Sequence, residues 1–165
     1  MNNRKALLVV VLPLVVFCSW LGKVMLDANS AKHAILSIQG FDPRDLLSGH
    51  YLRYRVDWKG PVCGPQRYGE QCVCLSDEVP ARATWNGACD DRPNGCAHFV
   101  RGQCNGGSFE AGLERYYFPE SWRGKLVTVP PNATVEVSLT SSGKAIVHQL
   151  LVEGRPLSEW IGEQK

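Results

Sequence analysis

Six cysteines, Cys63, Cys72, Cys74, Cys89, Cys96 and Cys104, crowd one central stretch of this chain and are its densest chemistry. Thiols this close serve disulfide cross-linking, zinc ligation or dithiol redox exchange. Structural zinc sites pair their ligands in short C-x-x-C-like knuckles, and redox sites use C-x-x-C. Here the spacings are Cys72-x-Cys74 and six residues between Cys89 and Cys96, which fit neither. The best zinc alternative is Cys89, Cys96, His98 and Cys104. An even cysteine number points instead to a disulfide framework. Cys72 and Cys74 lie two apart in a strand-like run, so both face one side of a sheet and should bond to two other cysteines. The turn-rich DDRPNG between Cys89 and Cys96 suggests a Cys89–Cys96 bond, leaving Cys63 and Cys104 for Cys72 and Cys74.

Other candidate chemistry is sparser. Asp42, Arg44 and Asp45 surround Pro43: they can bind a ligand or partner, or form a self-capping turn in which the acids accept backbone N–H bonds. Glu114 and Arg115 precede Tyr116 and Tyr117. Together they can hold a polar ligand between aromatic walls, or pair to fix a loop. His33, His50, His98 and His148 show no metal-ligand spacing. No metal or cofactor is expected. A membrane-bound serine hydrolase needs a nucleophile with an adjacent base. Ser30, Ser37 and Ser48 occur without a nucleophile-elbow pattern, and no base can be placed. The sequence leans away from an enzyme.

The N-terminus sets the compartment. Residues 6–22, ALLVVVLPLVVFCSWLG, carry no charge and follow Arg4 and Lys5. The run is at the short end for a membrane-spanning helix. The positive-inside rule puts its N-terminus in the cytoplasm and the rest outside. Pro13 is tolerated in a membrane helix. Two alternatives stay open: a signal peptide cleaved near Ala28-Asn29-Ser30, and lipid attachment at Cys18. The division expected is an anchor over 1–22, a linker over 23–32 and an exported domain over 33–165, with a disulfide-rich insert at 60–105. Export and cysteine content agree, because disulfides persist in oxidising compartments.

The whole chain has 18 Lys and Arg against 16 Asp and Glu, and the surplus sits at Arg4 and Lys5. The exported part is neutral and lacks the basic face that nucleic-acid binding requires. Its segments read as short strands. His33–Ile38, Gln71–Leu75, Ala81–Trp85 and Ala97–Gln103 are candidates, and Tyr51–Trp58 is rich in aromatic and β-branched residues. Thr134–Thr140 alternates strictly, Lys144–Val152 follows, and Ser141–Gly143 makes the hairpin between them. Phe109–Phe118 reads equally as helix or strand, and Leu157–Ile161 as a short helix. The fold expected is mainly β: an N-terminal transmembrane helix, then a small antiparallel sandwich or barrel-like domain with one or two short helices.

The run Phe41–Tyr54, FDPRDLLSGHYLRY, is similar to the signature region of the GDYXXLXY family of bacterial membrane-anchored proteins. Asp42, Pro43, Arg44, Asp45 and Leu46 match the turn that precedes the motif, and Gly49 and Tyr51 match the motif itself. His50 stands in place of Asp, Tyr54 in place of Leu and Val56 in place of the last Tyr. Glu114–Glu120 and Leu150–Gly154 resemble later segments of the family, so the likeness covers about 33–155, the cysteine insert excepted. The resemblance implies a bacterial inner-membrane protein with one span and a periplasmic domain. It also implies a polytopic membrane protein as partner and no stated reaction. The candidate binding residues are therefore Asp42, Arg44, Asp45, Gly49, Tyr51, Glu114, Arg115 and Tyr116. The function expected is a non-enzymatic accessory or interaction subunit. The alternative is a periplasmic hydrolase or ligand-binding module built from Asp42–Tyr54 and Glu114–Tyr117, which requires those two segments to meet.

Overall fold

The computed structural model describes residues 3–29, 32–40, 51–60, 62–122, 125–126 and 128–163, and in the first helix the side chains of 11–23 and Met25. The chain divides into two units, Met1–Ala31 and Lys32–Lys165.

The first unit is a helix, α1, over Asn3–Asn29, with Pro13 inside it. It continues through 23–29, where a linker was expected. Ser19 turns its hydroxyl back onto the carbonyls of Val15, at 2.6 Å, and Val16, so the one hydroxyl in the apolar run is satisfied within the helix. The large apolar side chains described here, Val11 to Met25, are exposed. Among the described residues no helix is long and apolar enough to cross a membrane; the described side chains of the 6–22 run begin at Val11.

The second unit is built from two antiparallel sheets. The larger contains β1 (Lys32–Gly40), β2 (Tyr51–Asp57), β7 (Arg115–Tyr117), β8 (Ala133–Leu139), β9 (Ala145–Val152) and β10 (Arg155–Pro156). Their order is β10-β9-β8-β1-β2-β7. The smaller contains β3 (Tyr68–Leu75), β4 (Ala83–Gly87), β5 (Phe99–Asn105) and β6 (Ser108–Glu110), in the order β4-β3-β5-β6. A short helix, α2, over Leu157–Glu163 buries Leu157 and Ile161.

Alternation decides which face of each strand goes inward. In β8, Ala133, Val135, Val137 and Leu139 are buried while Thr134, Glu136 and Ser138 are half-buried. Leu36 and Ile38 of β1, and Leu52 and Tyr54 of β2, join them. From the smaller sheet Val73, Leu75, Val100 and Phe109 enter the same core, so the two sheets share one apolar interior. Each such side chain contributes about 1.5–3 kcal/mol when fully buried. Gly102 permits the close approach of β6 to β5: a Cβ there would lie 2.5 Å from the Glu110 carbonyl and 2.6 Å from the Phe109 ring. The amide of Ala81 donates to the carbonyl of Ile35 at 2.7 Å and ties the loop after β3 to β1.

The six cysteines form three disulfides: Cys63–Cys104, Cys72–Cys89 and Cys74–Cys96. The expected framework is present, and Cys72 and Cys74 bond to two other residues. The expected Cys89–Cys96 bond is not formed, and Cys63 and Cys104 bond to each other. Strand register explains the difference. Cys104 stands opposite Gly69, and Val100 opposite Val73. Directly paired residues share a face, so Cys104 lies on the Val73 side of the sheet, away from Cys72 and Cys74. Cys72 and Cys74 instead meet the two cysteines of the loop after β4. The zinc alternative fails too, because Cys89, Cys96 and Cys104 are all bonded to sulfur.

Candidate functional site

β2 and β7 lie side by side, with Tyr51 opposite Tyr117, Leu52 opposite Tyr116 and Arg53 opposite Arg115. The two segments singled out for a ligand module therefore meet, as far as the described residues reach. Asp42, Arg44, Asp45 and Gly49 lie outside the described residues. So do Ser30, Ser48 and His50. Ser37 lies on β1, opposite Asp57 and Thr134.

The alternation of β2 and β7 sorts the candidate residues onto two faces. Leu52 and Tyr54 point inward, as does half-buried Tyr116. Outward stand Tyr51, Arg53 and Arg55 on β2, with Arg115 and Tyr117 beside them on β7. Tyr117 is 68% exposed. The Tyr51 and Tyr117 rings are 5.7 Å apart, and the Arg115 guanidinium lies 5.5 Å from the centre of the Tyr51 ring. This orders a compact patch of aromatic and cationic groups. Arg53 and Arg115 are like charges on directly opposite positions of the ladder, an arrangement that disfavours pairing.

Between the open edges of the two sheets lies a cleft of about 670 Å³. Its buried wall is Tyr54, Trp58, Val62 and Phe109, and its exposed lining includes Arg53, Arg55, Glu110 and Arg115. The Trp58 and Phe109 rings meet edge to face at 5.3 Å. Glu114 also lines the cleft; its Oε1 accepts the Ala111 amide at 2.8 Å, and its carbonyl accepts the Tyr54 amide at 3.2 Å. Thus Glu114 fixes the loop that brings Arg115 beside Tyr51. It does so without an ion pair to Arg115 among the described contacts.

Tyr54 is 1% exposed, and its hydroxyl has no hydrogen-bond partner among the described residues. Burial pushes its pKa well above the usual phenol range, and the charge of Glu114 adds to the effect. The hydroxyl is therefore held protonated, as a donor. Burial raises Tyr116 as well. Tyr54 closes the expected ligand segment Asp42–Tyr54 but was not among the individually named candidate residues. The signal for it was present: Leu52, Tyr54 and Val56 form the inward row of β2, and a phenol in that row carries a polar atom into the core.

A second polar group lies on the outer face of β1, β8 and β9. Glu136 accepts from Gln149 at 2.6 Å and lies 2.9 Å from the His33 ring nitrogen. These hydrogen bonds hold its carboxyl below the usual range, Gln149 foremost. His33 and His148 meet edge to face at 5.5 Å. Sequence spacing could not pair them, since they sit on β1 and β9. Among the described residues no group of His, Cys, Asp and Glu has a metal-binding arrangement.

No curated protein and no solved structure matches the chain. A family model described as GDYXXLXY protein matches residues 13–150. That span runs from within α1 into β9 and includes the Tyr51–Tyr54 and Glu114–Tyr117 pair. On that match, the chain belongs to the GDYXXLXY protein family.

Proposed function

We propose that this protein is an accessory subunit of a polytopic membrane protein. In this reading α1 anchors it in the bacterial inner membrane, with Arg4 and Lys5 in the cytoplasm and the β domain in the periplasm. The three disulfides support an extracytoplasmic domain, because such bonds persist in oxidising compartments. An anchor is supported by the charge-free run 6–22 inside α1 and by the exposure of its described apolar side chains. A helix that is apolar all round belongs in a membrane or a protein interior.

The observation that carries the subunit reading is the outer face of β2 and β7. Tyrosine and arginine are the residues most enriched where protein contacts concentrate their energy, and here Tyr51, Arg53, Arg115 and Tyr117 stand together on a short edge strand and its neighbour. Extraction in mild detergent, with thiols blocked at lysis, tests it. The protein is expected to retain residues 1–22 and to co-elute with one multi-pass protein. The double variant Tyr51→Ala, Arg115→Ala is expected to lose that companion while keeping three disulfides. A protein that always isolates alone, or a double variant that keeps its companion, removes the reading.

A further inference from the structure

We propose that the cleft between the open edges of the two sheets takes a short, extended, acidic peptide segment as an added strand. The first observation is which backbone groups face the cleft. β7 pairs with β2 only as far as Arg53, and just beyond it the Tyr54 amide donates to the Glu114 carbonyl. In an antiparallel strand the backbone groups of successive residues point to opposite sides. Those of Tyr54 point towards β7, so those of Val56 point the same way, past the end of β7, while Arg55 and Asp57 turn theirs to β1. Val56 lines the cleft. The other bank repeats the arrangement. Leu75 donates to the His98 carbonyl at 2.8 Å, which fixes the alternation along β5: Val100, Gly102 and Cys104 turn their backbone groups to β3, and Gln103 and Asn105 turn theirs to β6. Glu110 and Ser108 stand opposite those two. The N–H and C=O of Phe109, between them, therefore point away from β5, and Phe109 lines the cleft as well. Among the described residues no turn or loop group bonds to the backbone of Val56 or Phe109.

Unpaired strand edges are templates for a further strand, and peptide recognition by strand addition draws its affinity from such main-chain bonds and its selectivity from alternate side chains. A cleft of about 670 Å³ has room for a short segment. An added strand sends its side chains alternately to the two faces. On the inner side are Trp58 and Phe109, packed edge to face, and half-buried Val56, which suit apolar side chains of modest size. On the outer side stand Arg53, Arg55 and Arg115 beside Glu110. Glu114, the other acid of the cleft, already accepts the Ala111 amide. The surplus on this rim is positive, and guanidinium groups match carboxylates through paired N–H bonds. Acidic side chains are therefore selected at the outward positions. The same surplus disfavours a second copy of β2 or β7 as the occupant, since the outward rows of those strands carry these arginines.

The test uses the full chain in phosphatidylcholine nanodiscs and three probes: acetyl-Asp-Val-Asp-Val-Asp-amide, the same peptide with lysine in place of each aspartate, and the acidic peptide with both valine nitrogens methylated. By calorimetric titration the acidic peptide is expected to bind at one saturable site, and the lysine and methylated peptides at least tenfold more weakly. Amide hydrogen exchange locates the bonds. In the free protein the Val56 and Phe109 amides are expected to exchange at least tenfold faster than the Arg55 amide, which faces β1. Saturating acidic peptide is expected to slow both at least fivefold and to leave Arg55 unchanged. Four results overturn the proposal: no saturable binding, a lysine or methylated peptide that binds as tightly as the acidic one, Val56 or Phe109 as slow as Arg55 in the free protein, or either amide unprotected by the bound peptide. The bonds tested lie at Val56 and Phe109, outside the Tyr51–Tyr117 patch, so failure here leaves the subunit reading standing.

Discussion

Replacing Tyr54 by Phe should stabilise the ligand-free protein, although the residue is almost completely buried. The substitution keeps the ring, which belongs to the same buried core as Leu52 and Leu36, and removes one oxygen. A buried hydroxyl left without a partner costs about 1–3 kcal/mol. Against that stands the space left behind. An oxygen-sized void of about 10–15 Å³, at about 24 cal/mol per Å³, costs roughly 0.3 kcal/mol. The balance favours the Tyr54→Phe variant by about 1 kcal/mol or more, which for a domain of this size raises Tm by about 3–5 °C. Denaturant unfolding of the full chain with disulfides intact, followed by tryptophan fluorescence, reads the difference as a higher midpoint at constant slope. Tyr116→Phe, at a half-buried position, serves as a comparison and should be nearly neutral. A loss of more than about 1 kcal/mol in Tyr54→Phe, the size of a typical intact hydrogen bond, would refute the reasoning: the hydroxyl would then have a partner of its own in the free protein.

The disulfides should rank by the loops that they close. Cys63 and Cys104 are 41 residues apart and Cys72 and Cys89 are 17 apart, so chain-entropy loss gives about 4 and about 3 kcal/mol. Paired Cys→Ala variants, compared by denaturant midpoints, should show the first bond costing more; the reverse order would place the stabilisation in the native packing of Cys72–Cys89. Glu136 should shape the acid limb of stability. Its folded pKa is lowered, so its contribution is present above the ordinary carboxylate range and is lost as pH falls through the lowered value. Glu136→Gln should therefore flatten the fall in stability measured from pH 6 downwards, and an unchanged acid limb would contradict this.

Legibility followed the range of the interactions concerned. β2 and β8 could be read from their residues, because aromatic and β-branched composition and period-two burial are local properties of a half-buried strand. The stretch 109–118 could not. It is two three-residue strands separated by a bend in which Gly112 has φ +77°. One pairs in the smaller sheet and the other in the larger, so neighbours far along the chain set its conformation. The disulfide pairing failed for the same reason. The shared face of Cys72 and Cys74 is local, but the side on which Cys104 emerges depends on its register against Gly69.

The candidate site was legible in part. Tyr51, Glu114, Arg115 and Tyr116 do come together, through the β2–β7 ladder. Trp58 and Phe109 were missed. Their importance comes from a cleft between two sheets, and a single strand's pattern carries no information about what the opposite sheet presents. The joining of His33 and His148 around Glu136 was equally beyond spacing rules, since β1 and β9 are brought together only by β8 between them.

The central claim is that the outer face of β2 and β7 meets a polytopic membrane protein outside the cytoplasm. It is tested most directly by placing a photo-crosslinking amino acid at Tyr117 in intact cells, with exposed Tyr68 of the smaller sheet as the control position. The expected result is a light-dependent adduct at position 117 containing one multi-pass protein, absent from position 68. No protein adduct at 117, or the same adducts at both positions, would contradict the account.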